Sequence, residues 1–206
     1  GHHHDVDVVA SSTAPALVPG ITGQARSFNG TTDRLCGADS DQSLQFGKAS
    51  FSFELWVNVA QNLSGMDRPF TFGGSTAADT GFDFELGAGY WTPNISDGTT
   101  LLNVMAINGT LGTWIDLAGV VDREQGQLLF YEHGILRGMT PIPATFGGID
   151  MDRPICFSGG LAKFDGLIDE ARVYAGALDA ARIRAAYANL AERSGFVAIG
   201  PETRAP

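Results

Sequence analysis

The chain has 206 residues, with 23 acidic against 13 basic side chains and a formal charge of −10. So acidic a surface repels phosphate backbones and anionic headgroups, which argues against nucleic acid and anionic membranes as partners, while it attracts Ca²⁺ and basic surfaces. No apolar run approaches the ~20 residues of a membrane-spanning helix, so no membrane insertion is expected, and 27 glycines punctuating alternating apolar segments suit one all-β domain.

Gly1-His2-His3-His4 has the character of a tag remnant and is set aside as a metal cluster. Residues 1–19 as a whole read as that remnant plus a small, polar leading arm. Residues 24–30 form a predicted strand ending in an Asn-Gly turn signal. Residues 31–36 return from it as the second arm of a predicted hairpin. The clearest strand is 51–59: Phe51, Phe53, Leu55, Val57 and Val59 alternate with Ser52, Glu54, Trp56 and Asn58. Period two places the first set on a core face and the second on a half-polar face.

Further strands are predicted over 68–73, 81–86, 101–107, 114–121, 127–132, 135–139 and 154–158, with Gly, Asn and Asp in the gaps. His133-Gly134 reads as a tight hairpin turn. Residues 90–97 read as a loop. From Leu178 the period turns helical: Leu178, Ile183, Ala186, Tyr187 and Leu190 form one stripe, and Asp179 is placed to cap the helix. This helix is expected across an edge or end of the sandwich. The domain is therefore predicted over 20–192 and a Gly/Pro-containing tail over 193–206.

Cys36 and Cys156 each fall in a strand-like segment and are candidates for a disulfide, the alternative being two buried thiols. A bridge implies an oxidising compartment. Arginine outnumbers lysine eleven to two, a usage that suggests a GC-rich bacterial source. The sequons at Asn29, Asn62, Asn94 and Asn108 serve as loop markers.

Four blocks carry a family resemblance. They are Gly23-Gln-Ala-Arg-Ser-Phe-Asn-Gly30, Phe51-Ser-Phe-Glu-Leu-Trp-Val-Asn58, the run from Trp114 through Tyr131 to Gly134, and Phe164-Asp-Gly-Leu-Ile-Asp-Glu-Ala-Arg-Val-Tyr174 with Leu178. Their order and spacing over roughly 20–190 resemble the laminin-G-like, concanavalin A-like lectin/glucanase domains. The resemblance implies an all-β, two-sheet antiparallel jelly-roll β-sandwich with one short C-terminal helix. It constrains function less, because the fold hosts lectins, adhesion modules and hydrolases.

Asp169 is the first candidate site residue. Strict alternation from Ile168 to Tyr174 puts it on one face with Ala171 and Val173. A carboxylate there needs backbone N–H donors or a cation. The resemblance implies a structural calcium near the first turn, with Asn29 and Asp33 adding oxygens; a hydrogen-bonded structural Asp169 is the alternative. Tyr90 and Trp91 are candidates to stack on a sugar ring, with Asn94 and Asp97 bonding its hydroxyls. Asp150-Met-Asp152 reads as a solvated turn, with ion binding as the alternative.

Glucanases of this architecture carry a Glu-x-Asp-x-x-Glu strand, which is missing here; Asp83-Phe-Glu85 is the nearest fragment. The expectation is thus a non-catalytic, secreted or cell-surface recognition module, part of a larger chain. It would bind carbohydrate or an extracellular protein and have calcium as its only candidate cofactor. A ligand-free spacer domain and a glycan hydrolase using Asp83 and Glu85 are the alternatives.

Overall fold

The computed structural model describes residues 7–8, 12–61, 66–74, 76–105, 110–150, 153–159 and 163–191. In chain order the strands are β1 (Asp7–Val8), β2 (Ala16–Pro19), β3 (Gln24–Asn29), β4 (Leu35–Gly37), β5 (Phe51–Gln61), β6 (Met66–Gly73), β7 (Thr80–Gly87), β8 (Tyr90–Asp97), β9 (Leu101–Asn103), β10 (Trp114–Asp122), β11 (Gln127–Glu132), β12 (Ile135–Pro141), β13 (Ile155–Phe157) and β14 (Asp165–Ala175), followed by the helix α1 (Ala180–Ala191). They form two antiparallel seven-stranded sheets. The first runs β1-β4-β13-β6-β7-β8-β9 and the second β12-β11-β10-β5-β14-β3-β2. This is the predicted jelly-roll sandwich.

Alternation builds the core between the sheets. Phe51, Phe53, Leu55, Val57 and Val59 of β5 point inward, against Phe70 and Phe72 of β6 and Phe82 and Phe84 of β7. The rings of Phe53 and Phe84 meet at 4.7 Å with a 48° tilt, a favoured aromatic geometry. Gly119 faces Phe53 across β10 and β5. A Cβ at position 119 would stand 2.5 Å from the tip of that ring, so only glycine lets the ring lie flat on the strand. We expect Gly119→Ala to destabilise the domain by about 1–3 kcal/mol, the range for overpacking. Urea unfolding checks this, and an unchanged midpoint would refute it.

The structure corrects three expectations. Residues 24–36 do not form a hairpin: β3 pairs with β14 and β2 in one sheet, whereas β4 pairs with β1 and β13 in the other. The Asn-Gly turn crosses the sandwich instead. Its geometry is held by the Asn29 side-chain oxygen, which accepts the N–H groups of Thr31, Thr32 and Asp33. Residues 90–97 are not a loop but strand β8, paired on both sides by β7 and β9, in which Asn94 is buried. Finally, α1 is not confined to an edge, although it reaches the edge strand β12. It packs on the outer face of the second sheet, with Ile183 against Ala118, Val120 and Tyr131 and Tyr187 stacked on Trp56 at 5.7 Å and on His133 at 5.3 Å. Asp179 caps it as expected, its carboxylate accepting the Arg182 N–H at 2.8 Å.

The His133-Gly134 turn has φ of 51° and 71° at its two residues. Both are left-handed, as the tightest hairpins require.

Candidate ligand-binding groove

A concavity of about 910 Å³ opens where β4 and β13 end. Gly37 and Ile155 are the last paired residues of those strands on that side. The chain beyond Gly37 supplies Ala38, Asp39, Ser40, Gln42 and Gln45; the chain leading into Ile155 supplies Asp150, Arg153 and Pro154. Asp39 shapes the first wall: its carboxylate accepts the Leu44 N–H at 3.2 Å and the Gln45 amide at 2.8 Å. Gln42 sits in the left-handed region at φ 56°, which reverses the loop. Asp150 ties the walls together by accepting the Gly47 N–H at 2.6 Å, and Gly47 and Ile149 form a bridge. Arg153 reaches across to Asp79 at 3.1 Å and keeps more than half of its side chain exposed, at 56%.

Carboxylates, carboxamides, a hydroxyl and a guanidinium thus line one hollow. Such a set can accept and donate to a polyol at several points, beside the apolar surfaces of Ala38 and Pro154. Of these residues only Asp150 stands out in the sequence, and as a solvated turn, because polar loop residues there look like any other turn.

The sequence-predicted residues fall elsewhere. Trp91 is fully buried and belongs to the core; only Tyr90 of that pair is exposed. The indole cannot stack on a sugar. Asn94 is buried and donates to Asp83 at 2.7 Å. Asp97 caps the turn after β8 and accepts the Gly147 N–H at 2.7 Å. Burial pushes its carboxyl up, but bonds from Gly147, Thr99 and Thr100 outweigh this and hold it well below the usual carboxylate range. These four residues therefore form no common binding patch.

Nor do Asp169, Asn29 and Asp33 form one calcium site. The register partner of Asn29 is Asp165, not Asp169. Four further residues along β14 separate the two by roughly 13 Å at ~3.3 Å per residue. A β-bulge between Asp169 and Arg172, with Glu170 at φ 51°, also reverses the alternation. Ile168 and Val173 both face the core, although five positions apart. Asp169 stands opposite Trp56 on the outer side, where it accepts the Thr22 N–H at 3.2 Å and packs against Gly20. Asp33 accepts the Asn29 N–H at 3.1 Å and a hydrogen bond from the Thr13 hydroxyl. These residues do not fit a shared ion, and among the described residues no group of three or more His, Cys, Asp or Glu side chains is placed to hold one. Asp152, Asn62 and Asn108 lie outside the described residues.

Cys36 and Cys156 are register partners on β4 and β13 and are joined by a disulfide across 120 residues of sequence.

Two carboxylate clusters lie on the outer sheet faces. On β7, Arg68 grips both acids of the Asp-Phe-Glu fragment, with Nε 3.1 Å from Asp83 and Nη2 2.6 Å from Glu85. On the second sheet, Glu54 and Asp116 are buried beneath α1 at 6% and 4% exposure. Glu54 accepts from the Tyr174 hydroxyl at 2.6 Å and from Arg172 at 3.1 Å. Burial, and secondarily the charge of Glu54, push the Asp116 carboxyl up to about 7; the Gly134 N–H and Arg172 oppose this. The sequence signalled this cluster as polar residues on the outer positions of two otherwise apolar strands.

The sequence profile of the concanavalin A-like lectin/glucanases superfamily matches residues 28–184. No curated protein matches the chain. Several solved structures share the fold. The binding domain of Paraclostridial Mosquitocidal Protein 1 is 14% identical, with a TM-score of 0.71 over 90% of this chain and 47% of its own. Botulinum neurotoxin type C, which depends on interaction with two ganglioside molecules for entering cells, is 13% identical, with a TM-score of 0.71 over 92% of this chain and 47% of its own. The binding domain of botulinum neurotoxin DC, solved in complex with rat synaptotagmin II, is 14% identical, with a TM-score of 0.70 over 92% of this chain and 48% of its own. The chain thus spans about half the length of these structures.

Proposed function

The chain belongs to the concanavalin A-like lectin/glucanases superfamily, and from that premise we propose that it is a non-catalytic recognition module that binds carbohydrate in the groove at the ends of β4 and β13. The carrying observation is the groove's lining: Asp39, Gln42, Gln45, Asp150 and Arg153 converge on one hollow of about 910 Å³. A sugar presents vicinal hydroxyls that donate to carboxylates and accept from a guanidinium and from amides, so the lining matches it chemically. Ganglioside dependence in botulinum neurotoxin type C, a structure of the same fold, supports the ligand class.

The non-catalytic reading rests on the two acid clusters. Arg68 and Asn94 occupy Asp83, and Arg68 also occupies Glu85. Glu54 and Asp116 lie under α1, out of reach of a substrate. Neither cluster leaves a carboxylic acid and a second carboxylate flanking an open cleft, as glycoside hydrolysis needs, and the groove carboxylates Asp39 and Asp150 are each taken up by loop N–H groups. A secreted or cell-surface setting in a bacterial host fits the cross-strand disulfide.

A glycan array tests the proposal. We expect saturable binding to a defined glycan subset, equal in EDTA and in millimolar Ca²⁺, because the groove donors are protein groups. An array without hits would favour the ligand-free spacer, and binding lost in EDTA would show that an ion completes the site.

A further inference from the structure

The two sulfurs of the Cys36–Cys156 disulfide stand in unlike surroundings. Cys156 is almost fully buried, at 2% exposure. The Arg34 guanidinium donates to its Sγ at 3.3 Å. Gly159 packs over it: a Cβ built at Gly159 would lie 3.3 Å from the Cys156 Cβ and 2.2 Å from Thr71. A second cation, Lys163, lies near enough to feel Arg34; burial first and that repulsion second push its ammonium below the ordinary value. Cys36 is only half-buried. Its register partner on the other side is Asp7 of β1, so an acid rather than a base shares its face.

We propose that Cys36 is a thiol-exchange site, attacked by a low-molecular-weight thiol, with Cys156 as the fixed leaving group. The incoming thiolate bonds to Cys36 Sγ, and the S–S bond breaks. Its electron pair departs with Cys156 Sγ, as a thiolate beside Arg34. Cys36 carries the mixed disulfide. A second thiol then releases Cys36 as a thiol and leaves as the small-molecule disulfide, so two external thiols supply the two electrons. The direction follows from leaving-group chemistry: the thiolate favoured by a neighbouring cation leaves faster, and the less buried residue, Cys36, is the one attacked. Exchange has a consequence that rests on the groove reading. Two residues past Cys36 is Ala38, and two before Cys156 is Pro154, both of which line the hollow. The disulfide therefore clamps the two groove walls, and thiolation of Cys36 would release them.

The test uses the folded full chain and the neutral monothiol 2-mercaptoethanol, with no glycan present, so its outcome is independent of the groove reading. Acid quench, alkylation and peptide mapping locate the adduct. We expect the adduct on Cys36 in roughly fivefold or greater excess over Cys156. Arg34→Gln should erode that preference and slow the exchange, and the remote, exposed β12 variant Met139→Ser should keep the wild-type preference as a folded control. An adduct shared equally, or one on Cys156, would overturn the proposal. So would exchange seen only in denaturant, or a preference that survives Arg34→Gln.

Discussion

Replacing both cysteines by alanine should cost the domain about 4–5 kcal/mol, the loop-closure entropy expected when a cross-link spanning more than 100 residues is removed. The bridge joins positions 120 residues apart, so it restrains most of the unfolded chain. It also joins two short strands. β4 and β13 have three residues each, too few backbone hydrogen bonds to hold that side of the first sheet tightly. A loss of this size corresponds to a melting temperature lower by roughly 10–20 °C for a domain of this length. Thermal unfolding of Cys36→Ala/Cys156→Ala measures it, and the wild type in excess dithiol should shift by a similar amount. A loss below about 1 kcal/mol would mean that the β4–β13 pairing needs no cross-link.

Asp116→Asn should stabilise the protein at pH 8 and do little at pH 4. Asp116 stands on β10 beside the diagonal neighbour Glu54 of β5, and both are sealed under α1. Its carboxyl titrates near 7 in the folded chain against an ordinary 3.8. A raised acid binds its proton more tightly when folded. Its contribution is therefore complete below the unfolded value and is lost as pH rises through the folded one. Between those limits stability falls by up to about 4 kcal/mol. Asparagine keeps the shape and can still accept the Gly134 N–H, but never carries the charge. Urea titrations at pH 4, 6 and 8 should show the wild type losing stability toward pH 8, with a flatter profile in Asp116→Asn. Parallel profiles for the two proteins would show that Asp116 stays ionised throughout.

Much of the architecture was legible in the residues. The alternation of β5 is unbroken from Phe51 to Val59, and all five inward positions are buried. The Asp179 cap and the Ile183 and Tyr187 stripe identified α1 and its buried face, but not which surface receives it. That surface became clear only when Trp56, His133 and Ala118 were seen together, and no local pattern joins three residues so far apart in sequence. β8 was hidden by its composition. Tyr-Trp-Thr-Pro-Asn reads as a loop, yet the core side of the strand comprises Trp91, Pro93 and Ile95, opposite Leu86, Phe84 and Phe82. The face of Asp169 was misread because period two assumes an unbroken ladder, and one left-handed residue, Glu170, inserts a bulge. The groove escaped notice for a related reason. Asp39 and Asp150 are over 100 residues apart, and their loops come together only through the pairing of β4 with β13 and the bridge between Gly47 and Ile149.

The central claim is that this domain recognises carbohydrate through the hollow between those two loops. Calorimetric titration of the strongest array glycan into four proteins tests it most directly: the wild type, Arg153→Ala, Ser40→Trp and the remote β12 variant Met139→Ser. Arg153 and Ser40 are exposed at the groove, so their replacement leaves the core intact. Weakening of about tenfold or more is expected in both groove variants, a loss of ~1.4 kcal/mol, with wild-type affinity in Met139→Ser. Full affinity in both groove variants would place the ligand elsewhere and contradict the account.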